Sequence, residues 1–97
     1  MRLRFSRRAV RDLAEIAAYI RERDPSAAAK VRASILDSLK TIGAFPRVGR
    51  PQTLPRVHKL VTRKYPYLIY YSIDESAGEI IVLTIRHPAQ ARGYSDR

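Results

Sequence analysis

Apolar residues in the first half of the chain recur at intervals of three and four, which is typical of helices that pack one face on a core. The first run follows Ser6, whose hydroxyl can cap a helix, and comprises Ala9, Val10, Leu13, Ile16, Ala17 and Ile20. The second follows Asp24-Pro25, a capping residue and a proline at the first helical position, and comprises Ala28, Val31, Ile35, Leu39 and Ile42. Gly43 is predicted to end this helix. The link between the runs is so short that the helices are expected to form an antiparallel hairpin.

The remaining apolar positions predict strands. Arg2–Phe5 alternates polar and apolar residues, which favours a short strand at a sheet edge. Strand-forming residues dominate the chain from Val57 onwards, with turns predicted at Tyr65-Pro66 and at Asp74–Gly78. The central strand, Tyr67–Ile73, is apolar on both faces, so we expect both of its faces to be covered.

The segment between the helices and the strands is predicted to be a loop. Phe45–Pro55 contains three prolines and a glycine, which interrupt regular structure. The order β-α-α-β-β-β then predicts an α+β fold in which a helical hairpin packs on a small antiparallel sheet. The length of 97 residues suits one domain, residues 1–97.

The net charge of the chain says more about possible partners than its overall composition does. The net charge is +10, and fifteen of the nineteen cations are arginines, which pair well with phosphates and carboxylates. No Asp or Glu occurs from Ser38 to Ile73, although that stretch holds seven cations. A solvated basic surface is the plain explanation, but such a field favours an anionic partner: nucleic acid, a nucleic-acid enzyme, or an acidic protein segment.

Several classes of function find no support in the sequence. There is no cysteine, so disulfides and cysteine-based zinc sites are excluded. His58 and His87 have no acidic cluster near them in sequence, so we expect no metal, and no motif indicates a cofactor or a small-molecule substrate. The N-terminus lacks the apolar core of a signal peptide, and no stretch is long enough to span a membrane. A cytoplasmic location without membrane contact is therefore expected.

A metal-free ribonuclease could be built from the basic residues, histidines and tyrosines of the second half. The candidates for its catalytic residues are Arg63, His87 and Tyr94. Each also has a plain structural explanation: Arg63 lies near a turn, His87 closes a strand before a proline, and Tyr94 lies in a polar tail. Because side chains alternate along a strand, Arg86 and His87 can share one site only if the strand ends between them.

Four segments, in their order and spacing, resemble the RelE/ParE superfamily of bacterial toxins from type II toxin–antitoxin systems. They are Ser6–Leu13 (SRRAVRDL), Phe45–Arg50 (FPRVGR), Tyr65–Asp74 (YPYLIYYSID) and Val82–His87 (VLTIRH). The resemblance covers nearly the whole chain. It implies the same helical hairpin on a small sheet that the apolar pattern predicts.

The two branches of the superfamily imply different activities. RelE-like members are ribosome-dependent mRNA endonucleases and place an arginine just before the apolar core of the central strand, where this chain has Tyr67. The form of the central strand and the histidine that ends the last strand look more like ParE members, which inhibit DNA gyrase and are not nucleases. A ParE-like toxin is the favoured interpretation, and a metal-independent, RelE-like endoribonuclease is the alternative.

The resemblance also implies partners. Such toxins are held inactive by a cognate antitoxin, here ParD-like, whose usually acidic segment wraps the toxin in a hetero-oligomer; the cellular target is DNA gyrase or the ribosome. Basic residues are the candidates for contacting antitoxin or target. They are Arg47, Arg50, Arg56, Lys59, Arg63, Lys64, Arg86 and Arg92.

Overall fold

A computed structural model describes residues 1–88 of the chain. The elements are β1 (Arg2–Phe5), α1 (Arg7–Arg23), α2 (Pro25–Ala44), β2 (Arg50–Pro51), β3 (Val57–Val61), β4 (Leu68–Asp74) and β5 (Glu79–Arg86). The strands form one sheet in the order β1-β5-β4-β3-β2, with the helical hairpin packed on one face. The predicted α+β class and the hairpin-on-sheet architecture are confirmed.

Two features of the sheet differ from the prediction: one is a pairing between strands far apart in sequence, and the other is a short additional strand. β1 pairs in parallel with β5, from Arg2 opposite Glu79 to Phe5 opposite Val82, so the sheet is mixed and not wholly antiparallel. The segment predicted to be a loop contains β2, which pairs with β3. The proline in β2 is tolerated because the strand lies at the sheet edge, where a missing N–H breaks no ladder.

The helix starts follow the sequence closely. The Ser6 side chain accepts a hydrogen bond from the Ala9 N–H at 3.0 Å, and Asp24 accepts one from the Ala27 N–H at 3.2 Å. Both caps satisfy N–H groups that would otherwise lack a partner in the first turn. The predicted capping residues are therefore the observed ones.

The predicted end of the second helix was wrong by one residue. Gly43 lies inside α2, which continues to Ala44, and the Phe45 N–H donates to the Thr41 carbonyl at 2.8 Å to close the last turn. Pro46 then prevents continuation, because proline disfavours helical backbone in the residue before it. The proline, and not the glycine, ends the helix.

The core lies between the helical hairpin and one face of the sheet. Its buried members are Ala9, Val31, Ile35, Leu39, Ile42, Ile69, Tyr71, Ile73, Ile80, Val82 and Ile85. A smaller apolar cluster, formed by Val57, Leu68 and Tyr70 with Leu83 against them, lies on the other face. The prediction that the central strand is covered on both faces is confirmed, although the strand begins at Leu68 and not at Tyr67. Val10, predicted to lie on the apolar face of α1, is exposed.

Helix α1 is attached to β5 at a β-bulge. The pairing of β4 with β5 shifts by one residue between Tyr70 and Tyr71, which leaves Leu83 as the extra residue. The Ser6 hydroxyl donates to the Leu83 carbonyl at 2.8 Å, and the Asp12 carboxylate accepts from the Ile85 N–H at 3.0 Å. Side chains from the cap and the first turns of α1 thus bond the backbone of β5 at the bulge and just after it, where β1 no longer pairs with β5.

A buried tyrosine joins the sheet to the loop after α2. The Tyr71 hydroxyl donates to the Pro46 carbonyl at 2.7 Å and accepts from the Gly49 N–H at 2.9 Å. Burial raises the pKa of Tyr71, so the phenol keeps the proton that it donates. A Cβ atom at Gly49 would lie 2.6 Å from the Tyr71 oxygen and 2.9 Å from the Lys59 carbonyl oxygen. Only glycine fits this approach of loop and sheet.

At the other edge of the sheet, a carboxylate holds β1 in place. The mostly buried Glu79 side chain accepts hydrogen bonds from the guanidinium groups of Arg2 and, at 3.3 Å, of Arg4. The Arg2 hydrogen bond is the main cause that holds the pKa of Glu79 below its ordinary value of 4.5. The ionised form of Glu79 is therefore the form that the fold stabilises.

We expect Gly49→Ala to lower the free energy of unfolding by about 2 kcal/mol or more, because the methyl group would overlap backbone that cannot move aside cheaply. Gly43→Ala is the matched control. Its added methyl group would meet no atom closer than 3.7 Å, and alanine favours helix. Urea unfolding of both variants checks this. Equal stability of the Gly49→Ala variant and the wild type would contradict the close approach.

The Glu79 cluster predicts acid sensitivity. Because the native pKa of Glu79 is lowered, its stabilisation is present above about pH 4.5 and is lost as the pH falls through the native value. Glu79→Gln should reduce stability at pH 7 and flatten the loss of stability between about pH 5 and 3. Urea midpoints across this range measure the effect, with Glu22→Gln on the exposed side of α1 as the control. A variant with the wild-type slope would show that Glu79 is not the responsible carboxylate.

Candidate functional site: a groove between α1 and β5

A groove of about 810 Å³ lies between helix α1 and the C-terminal end of β5. We call it the α1–β5 groove. Its lining consists of Arg8, Arg11, Asp12, Glu15, Ile16, Tyr19, Tyr67, Ile85, Arg86 and His87. The groove has apolar, aromatic and charged parts, each contributed by a different piece of the fold.

The helical wall of the groove follows from spacing along α1. Arg8, Asp12, Glu15 and Tyr19 are separated by four, three and four residues, so they lie in one line along the helix. Ile16 turns towards the core beside them. The wall is thus a polar stripe next to the buried face of the same helix.

Asp12 fixes the position of this wall against the sheet. One of its carboxylate oxygens lies 3.5 Å from the Arg8 Nε atom, and the other accepts from the Thr84 hydroxyl and the Ile85 N–H. Through these bonds Asp12 holds α1 on β5 and positions the guanidinium group of Arg8. Its role in the groove is structural.

Aromatic side chains form the opposite wall. Tyr67 contacts His87 edge to face, with ring centroids 5.7 Å apart and an interplanar angle of 79°. Burial raises the pKa of Tyr67, and the nearby Tyr19 raises it further. Tyr67 therefore stays a neutral phenol at physiological pH, able to donate a hydrogen bond but not to act as a base.

The charges of the groove have both signs. Three arginines are balanced in part by Asp12 and Glu15, and the Arg11 guanidinium has no ion-pair partner within residues 1–88. Arginine binds carboxylates in a bidentate geometry, while an acidic rim residue such as Glu15 repels a run of phosphates. With an apolar floor at Ile16 and Ile85, the groove suits a protein segment that carries both carboxylates and apolar side chains.

The structure brings two of the predicted site residues into this groove. Arg86 is the last residue of β5, so the strand ends between Arg86 and His87, and both side chains line the groove. The condition set by strand alternation is therefore met. The other basic candidates among residues 1–88 lie elsewhere.

Four of these candidates lie on or beside the loop after α2 and the edge of the sheet. Arg47 forms an ion pair with Glu75, Arg50 is opposite Lys59 in the β2–β3 pair, and Arg56 is exposed in the turn before β3. Arg56 has a φ of 64°, in the left-handed region that non-glycine residues seldom adopt.

The turn after β3 holds the remaining pair within the described residues. Lys64 also has a left-handed φ, 63°, and the Arg63 carbonyl accepts a hydrogen bond from the Ser34 hydroxyl at 3.0 Å. Among residues 1–88, Arg63 is not part of the groove lining that contains His87. Arg92 and Tyr94 lie outside the described residues. The three nuclease candidates are thus not seen together.

The contribution of α1 to the site was not predicted from the sequence. Arg11, Glu15 and Tyr19 were not among the predicted site residues. Their alignment with Arg8 along one line of the helix was the available signal. What the sequence could not indicate is that this line faces the end of β5, because that depends on the Asp12 attachment.

The described part of the chain contains neither a membrane-spanning helix nor a cluster of metal-binding side chains. Within residues 1–88, no helix combines the length and the apolar character needed to cross a membrane. In the same range, no three His, Asp or Glu side chains converge as a metal site requires.

Comparisons with known proteins agree on one family. A family model described as the ParE toxin of the type II toxin–antitoxin system parDE matches residues 3–92. The chain is 38% identical over 89 residues to a protein named "Putative toxin Y4kP" from Sinorhizobium fredii, covering 92% of this chain and 90% of that protein.

Solved structures extend the comparison to the fold. The chromosomal ParDE system from P. aeruginosa contains a chain that is 27% identical, with a TM-score of 0.76, covering 90% of this chain and 95% of that one. The intact E. coli RelBE complex contains a chain with a TM-score of 0.66 and 18% identity, covering 88% and 93%, a likeness of fold alone. The chain therefore belongs to the ParE toxin family of type II toxin–antitoxin systems, and it lies closer to ParE than to RelE within the RelE/ParE superfamily.

Proposed function

We propose that this toxin acts in the cytoplasm by inhibiting DNA gyrase and that a cognate ParD-like antitoxin neutralises it. The family match over residues 3–92 supports both parts, as does the greater similarity to the ParDE structure than to RelBE. The partner named in the ParDE system is the model for the antitoxin.

The observation that carries the choice of target is Tyr67. RelE-like nucleases resemble this chain but place an arginine at that position, where a cation would hold the scissile phosphate. Here the residue is a phenol, which carries no positive charge in either protonation state, so it cannot offset phosphate charge. Arg63 does not stand in for that arginine, since it is not among the residues 1–88 that line the groove; the arginines that do line it belong to α1 and to the end of β5.

The α1–β5 groove supports the antitoxin part of the proposal. Its arginines suit carboxylates, Tyr19 is 59% exposed, and Ile16 and Ile85 offer an apolar floor. An amphipathic segment with acidic residues satisfies all three features. Glu15 makes a polyphosphate a poorer occupant than such a segment.

One observation favours the alternative, a metal-independent endoribonuclease. His87 lies in the same groove as Arg86 and Arg8, so a potential general base is close to cations. The proposal treats His87 as a binding and packing residue, given its ring contact with Tyr67.

The target is tested by a His87→Ala, Tyr94→Phe double variant. We expect it to keep full growth inhibition and to inhibit gyrase supercoiling as the wild type does, because the proposal assigns the groove that contains His87 to the antitoxin and gives neither side chain a chemical step. Induction without the antitoxin gene should cause filamentation and a DNA damage response, with transcripts intact. Cleavage of ribosome-bound message by the wild type, abolished in the double variant while gyrase is unaffected, would establish the nuclease instead.

The antitoxin site is tested by charge reversal. Arg11→Glu should weaken binding of the antitoxin encoded beside the toxin gene by roughly tenfold or more, because it places a carboxylate against an acidic segment. Arg32→Glu makes the same charge change on the exposed side of α2 and serves as the control. Titration calorimetry at two salt concentrations measures both, and wild-type affinity should fall with added salt. Equal losses in the two variants would indicate a general field and not this groove.

A further inference from the structure

An exposed apolar patch lies at the end of the fold away from the groove. It comprises Phe45, Val48 and Met1 with Pro46 and Arg47 between them, and we call it the Phe45 patch. Phe45 is 67% exposed, Val48 46% and Met1 44%. Large apolar side chains that are this exposed and adjacent mark contact surfaces more often than isolated ones do.

The backbone beneath the patch is held in one conformation. The Val48 N–H donates to the Phe45 carbonyl at 3.0 Å, which makes a tight turn. The buried Tyr71 hydroxyl bonds the Pro46 carbonyl within this turn and the Gly49 N–H just after it. The ion pair of Arg47 with Glu75 ties the same turn to the β4–β5 connection. Phe45 and Val48 do not pack in the core. The hydrogen bonds and the ion pair of this turn therefore fix the position of two side chains that are exposed to solvent.

An aromatic residue on a pre-formed turn is well suited to binding. Little conformational freedom remains to be lost when such a side chain enters a partner, so more of the contact energy appears as affinity. Aromatic residues also dominate the few positions that carry most of the energy in protein interfaces. The structure therefore places a ready contact residue at position 45.

The patch and the groove are far apart. Tyr67, in the groove, and Glu75, in the hollow of the patch, bracket the seven residues of β4. At about 3.3 Å per residue, the two sites are separated by about 25 Å along the strand. They share no lining residue within the described part of the chain. A peptide segment bound in the groove would therefore leave the Phe45 patch accessible unless it also extended across it.

The charges around the patch indicate its partner. Lys40 and Arg50 flank it in sequence, and no acidic residue occurs from Ser38 to Ile73. Among residues 1–88 the one carboxylate lining the hollow, Glu75, is paired with Arg47, so these two charges offset each other. A second copy of this +10 chain would be repelled, whereas an acidic protein surface would be attracted.

We infer that the Phe45 patch is the surface by which this toxin contacts its protein target, with Phe45 and Val48 entering an apolar pocket that has an acidic rim. The α1–β5 groove is concave and suits an extended or helical segment of a partner. The Phe45 patch instead presents exposed side chains on a rigid turn, which suit a pocket on a globular partner. The inference rests on the proposed function in that it takes the target to be a protein, DNA gyrase.

A Phe45→Ser, Val48→Ser double variant tests the inference. We expect its inhibition of gyrase supercoiling to weaken by roughly thirtyfold, the effect of losing a dominant interface residue, with growth inhibition lost in parallel. Its binding to the antitoxin encoded beside the toxin gene should stay within about twofold of wild type. The control is a Val10→Ser, Leu36→Ser variant, which removes side chains that are 57% and 43% exposed on the helices.

Circular dichroism and urea unfolding establish that both variants are folded. Phe45→Leu, which keeps an apolar side chain on the same turn, should restore part of the inhibition when combined with wild-type Val48. Unchanged growth inhibition by the double variant would overturn the inference, and so would loss of antitoxin binding in place of target binding. If the wild type leaves gyrase untouched while the double variant still loses toxicity, the proposed target fails but the Phe45 patch remains the target surface.

Discussion

The attachment of α1 to the bulged part of β5 is the constraint on which the rest of the structure depends. β1 covers β5 only as far as Val82, so within residues 1–88 the backbone beyond that point has no strand beside it on that edge. Ser6 and Asp12 supply the missing partners by bonding Leu83 and Ile85. Because a buried or half-buried backbone group without a partner costs about 1–3 kcal/mol, these side chains determine where the helix lies. The groove lies beside this attachment, between α1 and the end of β5.

Tyr71 makes an equivalent connection at the opposite end of the sheet. It points from β4 into the core, stacks on His58 at 5.5 Å, and reaches the loop after α2 with both hydrogen-bonding functions of its hydroxyl. In each case a side chain bonds the backbone of a neighbouring element at a place where no ladder can. The central strands β4 and β5 thus position both exposed surfaces, one at each end, through a few polar groups within an otherwise apolar core.

Local patterns in the sequence predicted what depends on local interactions. The caps at Ser6 and Asp24, the helical faces and the two-sided burial of β4 follow from propensity and periodicity. The parallel pairing of β1 requires partners 77 residues away along the chain, which no local pattern indicates. Strand β2 is only two residues long and includes a proline, so local propensity does not indicate it either. The same difference between local and distant interactions explains why only part of the groove was predicted. Arg86 and His87 stand at a strand end that periodicity can locate, whereas the helical wall that faces them is fixed by Asp12 bonding to Ile85.

Net charge predicts an anionic partner but does not predict where it binds. The seven cations between Ser38 and Ile73 spread over the end of α2, the loop after it, the sheet edge and the turns before β3 and β4, whereas the groove has acidic as well as basic walls. A uniform field raises the rate of encounter with any polyanion, while a site of mixed sign discriminates among anions by where their charges are. With Glu15 beside Arg11, the groove can reject an anion whose charges are wrongly placed. Discrimination by the placement of charges and attraction by a general positive field are therefore separate physical tasks, and the mixed-sign groove is suited to the first of them.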